Sequence, residues 1–227
     1  MRAVAVTLDV THTLVDAPRL GEIYAEVLAR HGIALPPDVV RRAVPMVWQE
    51  LGREVPRARD RFGAHPEGAR GFWREFLARV CALAGTEPPA RTAAAELFDR
   101  FAEPETWRLF PEVPETLAAL AAKGVRLAVV SNWDERLPLL LGRLGLAGRF
   151  AAIVTSSEVG WEKPHPEIFA RAVTALGVTP AEVVHVGDHR REDVEGARAA
   201  GLQALHLDRA GGGDLASLAE LPGWLAG

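Results

Sequence analysis

Four short polar segments of this 227-residue sequence carry the side chains best suited to chemistry. Asp9 follows one apolar run, and the pair Ser131-Asn132 ends another. Lys163 lies just before a helix-like segment, and a third apolar run leads into the acidic segment 187–193. The sequence therefore offers a carboxylate that could act as a nucleophile, a hydroxyl/amide pair, an ammonium and further acids, provided that the fold brings them together.

The elements that must position these side chains alternate in type along the chain. Short apolar and β-branched runs predict strands, and helix-period segments lie between them, with glycines where three of the helices should end. This alternation predicts a parallel sheet covered on both faces, in which ligands bind at the carboxyl ends of the strands. The predicted strands are 3–8, 126–130, 152–155, 183–186 and 203–206, the helices are 113–123, 135–144, 166–176 and 194–200, and the glycines are Gly124, Gly177 and Gly201.

A second type of organisation interrupts this pattern between about residues 17 and 105. This stretch shows helix-period segments at 21–31, 37–51, 66–84 and 89–101 and no convincing strand, and 53–65 is predicted to be a loop because it is rich in charge, glycine and proline. The first strand cannot stand alone, so it must join the later strands. The sequence therefore predicts a core of residues 1–16 and 106–227 and a helical insertion of residues 17–105.

Composition limits the classes of partner. Hydrophobic residues make up 48% of the chain, enough for a sizeable core, and the net charge of -4 gives no electrostatic reason to bind nucleic acid. No apolar stretch approaches about 18 residues, and no basic segment followed by a long apolar run opens the chain. We expect a cytoplasmic protein without a membrane or nucleic-acid partner, and we predict no oligomeric state. The lone Cys81 is expected in the core.

The four polar segments resemble, in order and spacing, the four motifs of the haloacid dehalogenase superfamily. They read LDVTHTL at 8–14, LAVVSN at 127–132, GWEKPHP at 160–166 and GDHRRED at 187–193. The resemblance covers about residues 1–16 and 106–207, and the helical block is similar to the C1 cap of that superfamily. The stretch from Trp107 to Asp193 looks closest to hydrolases of its domain-containing-3 type. It implies an α/β fold, with a Rossmann-like parallel sheet core and an inserted all-helical C1 cap.

The same resemblance implies a nucleophile and a metal site. Asp9 occupies the position that forms a covalent aspartyl-phosphate intermediate, which water then hydrolyses. Asp9 and Asp188, with the backbone carbonyl of Thr11, would form a hard oxygen site suited to Mg²⁺. Asp193 would support the metal or hold Lys163, although an aspartate there could also cap the following helix. The implied substrate is a small phosphorylated metabolite.

Substrate contacts follow from the remaining motif residues. Lys163 would neutralise Asp9 and a phosphate oxygen, and Ser131, with backbone N–H groups near Val10, Thr11 and Asn132, would bind the other oxygens. Asn132 could instead fix its own turn, and His12 could line the pocket where glycine is usual. The other histidines, which include His185, show no metal-ligand spacing and are interpreted as core or surface residues.

One motif residue departs from the superfamily pattern. The first motif is usually Asp-x-Asp-x-Thr, and Thr11 replaces its second aspartate, the general acid/base of the phosphatases. Positioned acid–base catalysis contributes about 10²–10⁴-fold to rate. Three outcomes stay open: a leaving group that needs little protonation, a substitute such as His12 or a cap carboxylate, or a vestigial site. The loose candidates for an anionic substrate in the cap are Arg19, Arg57, Arg59 and Arg61.

Three functions compete on these observations. The leading hypothesis is a Mg²⁺-dependent, phosphatase-type hydrolase. Because Thr11 replaces the usual acid/base, the alternative is a catalytically degenerate binding or regulatory protein that kept the fold. A 2-haloacid dehalogenase is the third hypothesis, because those enzymes also lack the second aspartate. They need no metal, however, and two carboxylates beside Asp9 would repel it without a cation.

Overall fold

A computed structural model describes residues 3–54 and 59–226 of the chain. Five of the strands form one parallel sheet in the order β5-β4-β1-β6-β7. The strands are β1 (Ala5–Leu8), β2 (Val15–Asp16), β3 (Arg108–Leu109), β4 (Arg126–Ser131), β5 (Ala152–Thr155), β6 (Val183–Gly187) and β7 (Gln203–His206). Because β1 is central and the chain continues to both sides of it, a topological switch point lies at its carboxyl end.

Helices connect these strands, which confirms the predicted α/β class. A π-helix at Arg190–Glu195 continues directly into a short α-helix. The α-helices are α1 (Leu20–Arg30), α2 (Pro37–Glu54), α3 (Arg61–Ala64), α4 (Gly68–Leu83), α5 (Arg91–Arg100), α6 (Val113–Ala122), α7 (Leu137–Arg143), α8 (Ser156–Val159), α9 (Pro166–Leu176), α10 (Gly196–Ala199) and α11 (Leu221–Trp224).

The central strand delivers the first motif to the edge of the sheet. All four residues of β1 are buried, as expected of an apolar strand covered on both faces. In its register, Leu8 lies beside Val129 of β4 and Val186 of β6. Asp9 therefore leaves the sheet at the edge where β4 and β6 also end.

Three glycines end elements at the predicted positions. Gly124, Gly177 and Gly201 have φ values of 74°, 62° and 86° and follow α6, α9 and α10. This left-handed conformation satisfies the last helical carbonyls at little steric cost for glycine, so the prediction of helix ends at these positions is confirmed.

The chain divides into two compact units, each with its own core. Met1–Asp16 with Leu109–Gly227 forms unit 1, and Ala17–Arg108 forms unit 2. In unit 1, α9 packs Ile168, Phe169 and Ala172 against strand residues such as Val130 and Val183. The role of residues 17–105 as a cap stays a prediction.

In unit 2, the described residues 17–54 and 59–105 contain helices joined by turns and loops and no named strand, as predicted. Its core contains an aromatic cluster in which Phe62, Phe72 and Phe76 surround Trp48. Cys81 is fully buried and free, which confirms its predicted place in the core. None of the helices in the described residues has the length and apolar content needed to cross a bilayer.

The prediction of a loop at 53–65 is wrong for residues 53–54 and for residues 61–64, which are helical. The helix α2 continues to Glu54, and α3 forms at Arg61–Ala64 because the Asp60 carboxylate accepts the Gly63 N–H at 2.5 Å and Phe62 is buried. Residues 55–58, including Arg57, lie outside the described residues. The predicted helix at 194–200 likewise begins earlier, since the π-helix starts at Arg190.

Candidate active site

Asp9 is held at the carboxyl end of β1 by backbone and side-chain hydrogen bonds. Its N–H donates to the Val186 carbonyl at 3.0 Å. Its Oδ1 accepts the Ser131 hydroxyl at 2.8 Å and the Lys163 ammonium at 2.6 Å. Both side-chain bonds end on Oδ1, which leaves Oδ2 as the oxygen available for attack on a substrate. The structure thus brings together three of the predicted residues.

Lys163 is almost fully buried, with a side chain only 3% exposed, and bridges two carboxylates. Its Nζ lies 2.6 Å from Oδ1 of Asp9 and 2.6 Å from Oδ1 of Asp193. Burial by itself would lower the pKa of this amine, but the charges of Asp193 and Asp9 outweigh burial and hold the pKa above its usual range. Lys163 is therefore a fixed positive charge beside Asp9.

Asp193 accepts hydrogen bonds on both oxygens. Oδ1 receives Lys163 and the His185 ring Nε2–H at 3.0 Å, and Oδ2 receives the His189 N–H at 2.9 Å. Burial opposes ionisation, yet the Lys163 charge and the His185 bond hold the pKa of Asp193 well below its usual range. A Cβ at Gly187 would overlap the Asp193 side chain, so glycine is required there. Asp193 is arranged to hold the lysine, and direct metal ligation by it stays a prediction.

Three carboxylates form the candidate cation site. One oxygen each of Asp9, Asp188 and Asp193 lies within 4.8 Å of the others. Burial, followed by repulsion from Asp9 and Asp193, raises the pKa of Asp188 to about 6. A divalent cation among these oxygens would relieve that repulsion, and carboxylate oxygens are the donors that Mg²⁺ prefers. The donor set therefore fits the predicted magnesium ion.

Metal affinity is expected to depend on pH through Asp188. Because the raised pKa of about 6 makes this carboxyl neutral in acid and anionic near neutrality, a Mg²⁺ ion bound there would compete with its proton. The apparent Kd for Mg²⁺ should rise about tenfold for each pH unit below about 6 and level off above about 7. Titration calorimetry on the wild type and on Asp188→Asn checks this. The variant should bind weakly at every pH, and a pH-independent Kd for the wild type would contradict the assignment of Asp188 as a ligand.

The loop after Asp9 turns sharply and exposes His12. The N–H groups of Leu14 and Val15 both donate to the Val10 carbonyl, at 2.8 and 3.0 Å. His12 has a φ of 62°, a conformation that favours glycine, and its side chain is 61% exposed with Nδ1 3.7 Å from Asp16. The Thr11 hydroxyl accepts the Trp133 indole N–H at 3.2 Å. Catalytic or binding roles for Thr11 and His12 stay predictions.

Asn132 fastens the loop that carries Lys163. Its Oδ1 accepts the Lys163 N–H at 2.7 Å, and its Nδ2 donates to the Lys163 carbonyl at 3.2 Å and to Glu192 at 3.1 Å. Since both ends of the amide are engaged by distant segments, the geometry favours a structural role for Asn132, which joins two loops instead of fixing its own turn. Substrate binding by Asn132 stays a prediction.

The comparisons with known proteins agree with this geometry. The family description for haloacid dehalogenase-like hydrolases matches residues 4–201. The chain belongs to the haloacid dehalogenase-like hydrolase family. Haloacid dehalogenase-like hydrolase domain-containing protein 3 of Homo sapiens is 32% identical over 203 residues, which cover 88% of this chain and 79% of the relative. The family resemblance predicted from the four motifs is thereby confirmed.

Other members of the family differ in what their names state. A glyceraldehyde 3-phosphate phosphatase of Methanopyrus kandleri is 31% identical over 221 residues, 90% of this chain and 84% of the relative. A crystal structure of a HAD phosphatase from Thermococcus onnurineus has 25% identity and a TM-score of 0.68 over 100% of this chain and 99% of that one. A 2-haloacid dehalogenase structure from Pseudomonas syringae has 27% identity and a TM-score of 0.65 over the same shares.

The sequence of this haloacid dehalogenase-like hydrolase did not predict the contacts that two further residues make at the site. His185, expected to be an ordinary core or surface histidine, is fully buried and contacts Asp193. A polar residue in the middle of the apolar run 183–187 was the available signal. Arg209 donates to the carbonyls of His12 at 3.1 Å and Thr13 at 2.9 Å, and no sequence pattern pointed to it.

Proposed function

We propose that this protein is a Mg²⁺-dependent, phosphatase-type hydrolase of small phosphorylated metabolites that acts through phospho-Asp9. The observation that carries the proposal is the Asp9 carboxylate, fixed by Ser131 and Lys163 with Asp188 beside it. A carboxylate can attack a dianionic phosphate only where positive charge offsets the repulsion. Lys163 supplies one such charge, and the three-carboxylate cluster offers a place for a second.

The first chemical step forms the covalent intermediate. Asp9 Oδ2 attacks phosphorus, a bond forms between these two atoms, and the bond from phosphorus to the leaving-group oxygen breaks. The electron pair stays on the leaving group, which takes a proton from water. The Lys163 ammonium, 2.6 Å from Asp9 Oδ1, is close enough to neutralise a phosphate oxygen as well. The Ser131 hydroxyl orients the nucleophile throughout.

The second step regenerates the enzyme. A water oxygen attacks phosphorus, and the bond from phosphorus to Asp9 Oδ2 breaks. Inorganic phosphate leaves with one proton of the water, and the other proton passes to solvent. Asp9 and Asp188 would hold the magnesium ion, together with the Thr11 carbonyl. Magnesium bound there would supply positive charge against the phosphate oxygens.

The relatives and the threonine at position 11 both support the proposed substrate class. A glyceraldehyde 3-phosphate phosphatase among the relatives supports a small phosphorylated metabolite as the substrate. Thr11 cannot protonate a leaving alkoxide as a carboxylic acid does. Phosphates with weakly basic leaving groups, such as acyl and aryl phosphates, should therefore react fastest.

A hydrolysis panel tests the proposal. Acetyl phosphate, p-nitrophenyl phosphate, glyceraldehyde 3-phosphate and other metabolite phosphates are each incubated with the protein in Mg²⁺ and in chelator, and free phosphate is measured. We expect magnesium-dependent release, strongest for acetyl and p-nitrophenyl phosphate. No release from any substrate in Mg²⁺ would count against the proposal.

Introducing an aspartate at position 11 should raise the rate of turnover. In Thr11→Asp, hydrolysis of alkyl phosphates should increase about 10²-fold, and hydrolysis of p-nitrophenyl phosphate should increase much less, because the gain comes from leaving-group protonation. Thr11→Asn is the matched control, since its amide has nearly the shape of aspartate but cannot act as an acid. Equal rates for the two variants would show that position 11 is not the acid/base position.

The same variant separates the enzyme from a second candidate function. The natural threonine at position 11, where the family usually has aspartate, is the observation that favours a degenerate binding or regulatory protein. Such a protein would bind phosphorylated ligands without turnover even as Thr11→Asp. Dehalogenation is disfavoured by the two carboxylates beside Asp9, and chloride release from 2-chloropropionate tests it directly.

A further inference from the structure

A buried threonine and a buried histidine lie side by side in the sheet, on the two strands β1 and β6 that lead into the candidate active site. Thr7 in β1 and His185 in β6 are register partners on neighbouring strands, and neither is exposed to solvent. Thr7 Oγ1 lies 2.9 Å from His185 Nδ1. Polar groups at such positions are costly unless they are hydrogen-bonded, and each of these two side chains supplies a partner for the other.

The contacts of the His185 ring assign a donor and an acceptor if the ring is neutral. Its Nε2 lies 3.0 Å from Asp193 Oδ1, and because an ionised carboxylate only accepts, Nε2 carries the hydrogen. A neutral ring then has an acceptor at Nδ1, which receives the Thr7 hydroxyl. Phe169 packs edge to face on the ring, with centroids 5.1 Å apart and planes at 83°, and so limits its rotation.

We infer that Thr7 and His185 are positioning residues that fix the Asp193 carboxylate and, through it, the ammonium of Lys163. Asp193 Oδ1 is the shared atom, since it accepts both His185 Nε2–H and Lys163. Without the histidine bond, this carboxylate loses one of the contacts that fix its orientation, and the ammonium that it holds can shift relative to Asp9. The catalytic part of this inference rests on the proposed function, and the structural part does not.

The path of contacts explains why a ring suits this position. The imidazole is rigid and presents its two nitrogens in opposite roles, one toward the central strand and one toward the π-helix that carries Asp193. Partners of this kind fix the orientation of a site residue, and behind metal ligands their loss typically costs about 10–100-fold in metal affinity or activity. Asp193 is also held by the His189 N–H on Oδ2, so loss of His185 should misplace it without releasing it.

The number of lysines allows a direct measurement that needs no substrate. The chain contains Lys123 and Lys163 as its lysines, so a ¹⁵N-lysine-labelled sample gives two ammonium signals. The Lys163 signal should exchange slowly with water, because this group is buried between two carboxylates, and the exposed Lys123 serves as the internal reference. His185→Gln keeps a donor and an acceptor and should preserve the Lys163 signal. His185→Phe keeps the ring but removes both and should shift and broaden it.

Activity with p-nitrophenyl phosphate then tests the catalytic part. In His185→Phe, kcat should fall about 10–100-fold with a smaller change in KM, and His185→Gln should recover most of kcat. A folded His185→Phe protein with an unchanged Lys163 signal and unchanged kcat would overturn the inference. If the wild type hydrolyses nothing, the proposed function fails on its own, and the lysine spectra still decide the positioning.

Thr7→Val provides a second test in case His185→Phe does not fold. Valine has the shape of threonine without its hydroxyl, so the sheet should persist. In ¹⁵N-histidine spectra, the wild-type His185 should show an unprotonated Nδ1 and a protonated Nε2, and the Nδ1 resonance should move in Thr7→Val. An imidazolium pattern in the wild type, or an unmoved Nδ1 resonance in the variant, would overturn the assigned pair.

Discussion

Replacing Asp9 with asparagine is expected to reduce hydrolysis of p-nitrophenyl and acetyl phosphate by at least about 10⁴-fold, because the amide cannot form the covalent intermediate. Thermal stability should not fall. One of three neighbouring negative charges is removed, and the amide oxygen can still accept the Ser131 hydroxyl and the Lys163 ammonium. Initial rates in Mg²⁺ and thermal unfolding of the same samples measure both expectations.

A matched control uses the same chemical change elsewhere. Asp99 lies on the surface of unit 2 and pairs with Arg70, so Asp99→Asn should leave the rate unchanged. Phosphate transfer to the protein provides a second readout, since acid-quenched wild type should carry acyl phosphate and Asp9→Asn should carry none. Retention of most of the activity by Asp9→Asn would exclude Asp9 as the nucleophile.

Replacing Lys163 with methionine is expected to impair both activity and folding. The rate should fall about 10³-fold or more, since the charge beside the nucleophile is lost. The free energy of unfolding should fall by about 3–5 kcal/mol near neutral pH, because Asp193 becomes a buried carboxylate without its ion-pair partner. Urea unfolding and initial rates measure the two effects. The control is Lys123→Met, which removes the other lysine at an exposed position.

The stability loss in Lys163→Met should depend on pH in a defined direction. In the wild type the pKa of Asp193 is lowered, so the pair contributes fully above the unfolded value and its contribution is lost as pH falls toward the folded value. In the variant, burial without the ammonium raises that pKa, and the carboxyl becomes neutral already in mild acid. The difference in unfolding free energy should therefore be largest near about pH 7.5 and smaller near about pH 4.5. An equal difference at both pH values would contradict the ion-pair account.

Local patterns were sufficient to predict the sheet and the places where the motifs leave it. The run of buried residues in β1, and glycines such as Gly177 with φ of 62°, are read from near neighbours in the sequence. Parallel strands place their carboxyl ends at one edge, so the proximity of Asp9, Ser131 and Asp188 follows from topology.

Other parts depended on contacts that no local pattern encodes. The loop predicted at 53–65 contains α3 because Phe62 is buried in the aromatic cluster of unit 2. The sequence leaves Asn132 equally suited to substrate binding and to fixing its own turn, whereas the structure places the Lys163 backbone at both ends of its amide. Burial and pairing across the chain decided each case.

The sequence by itself determined the α/β fold and the four polar segments at the edge of its sheet, because strand and helix periodicity and glycine positions are properties of adjacent residues. Only the tertiary structure decided how the environments and partners of the aspartates differ. The raised pKa of Asp188, the lowered pKa of Asp193 and the use of His185 arise from burial and from charges brought together across the chain. Electrostatic energies depend on distance and on surrounding protein in three dimensions, and sequence spacing contains neither.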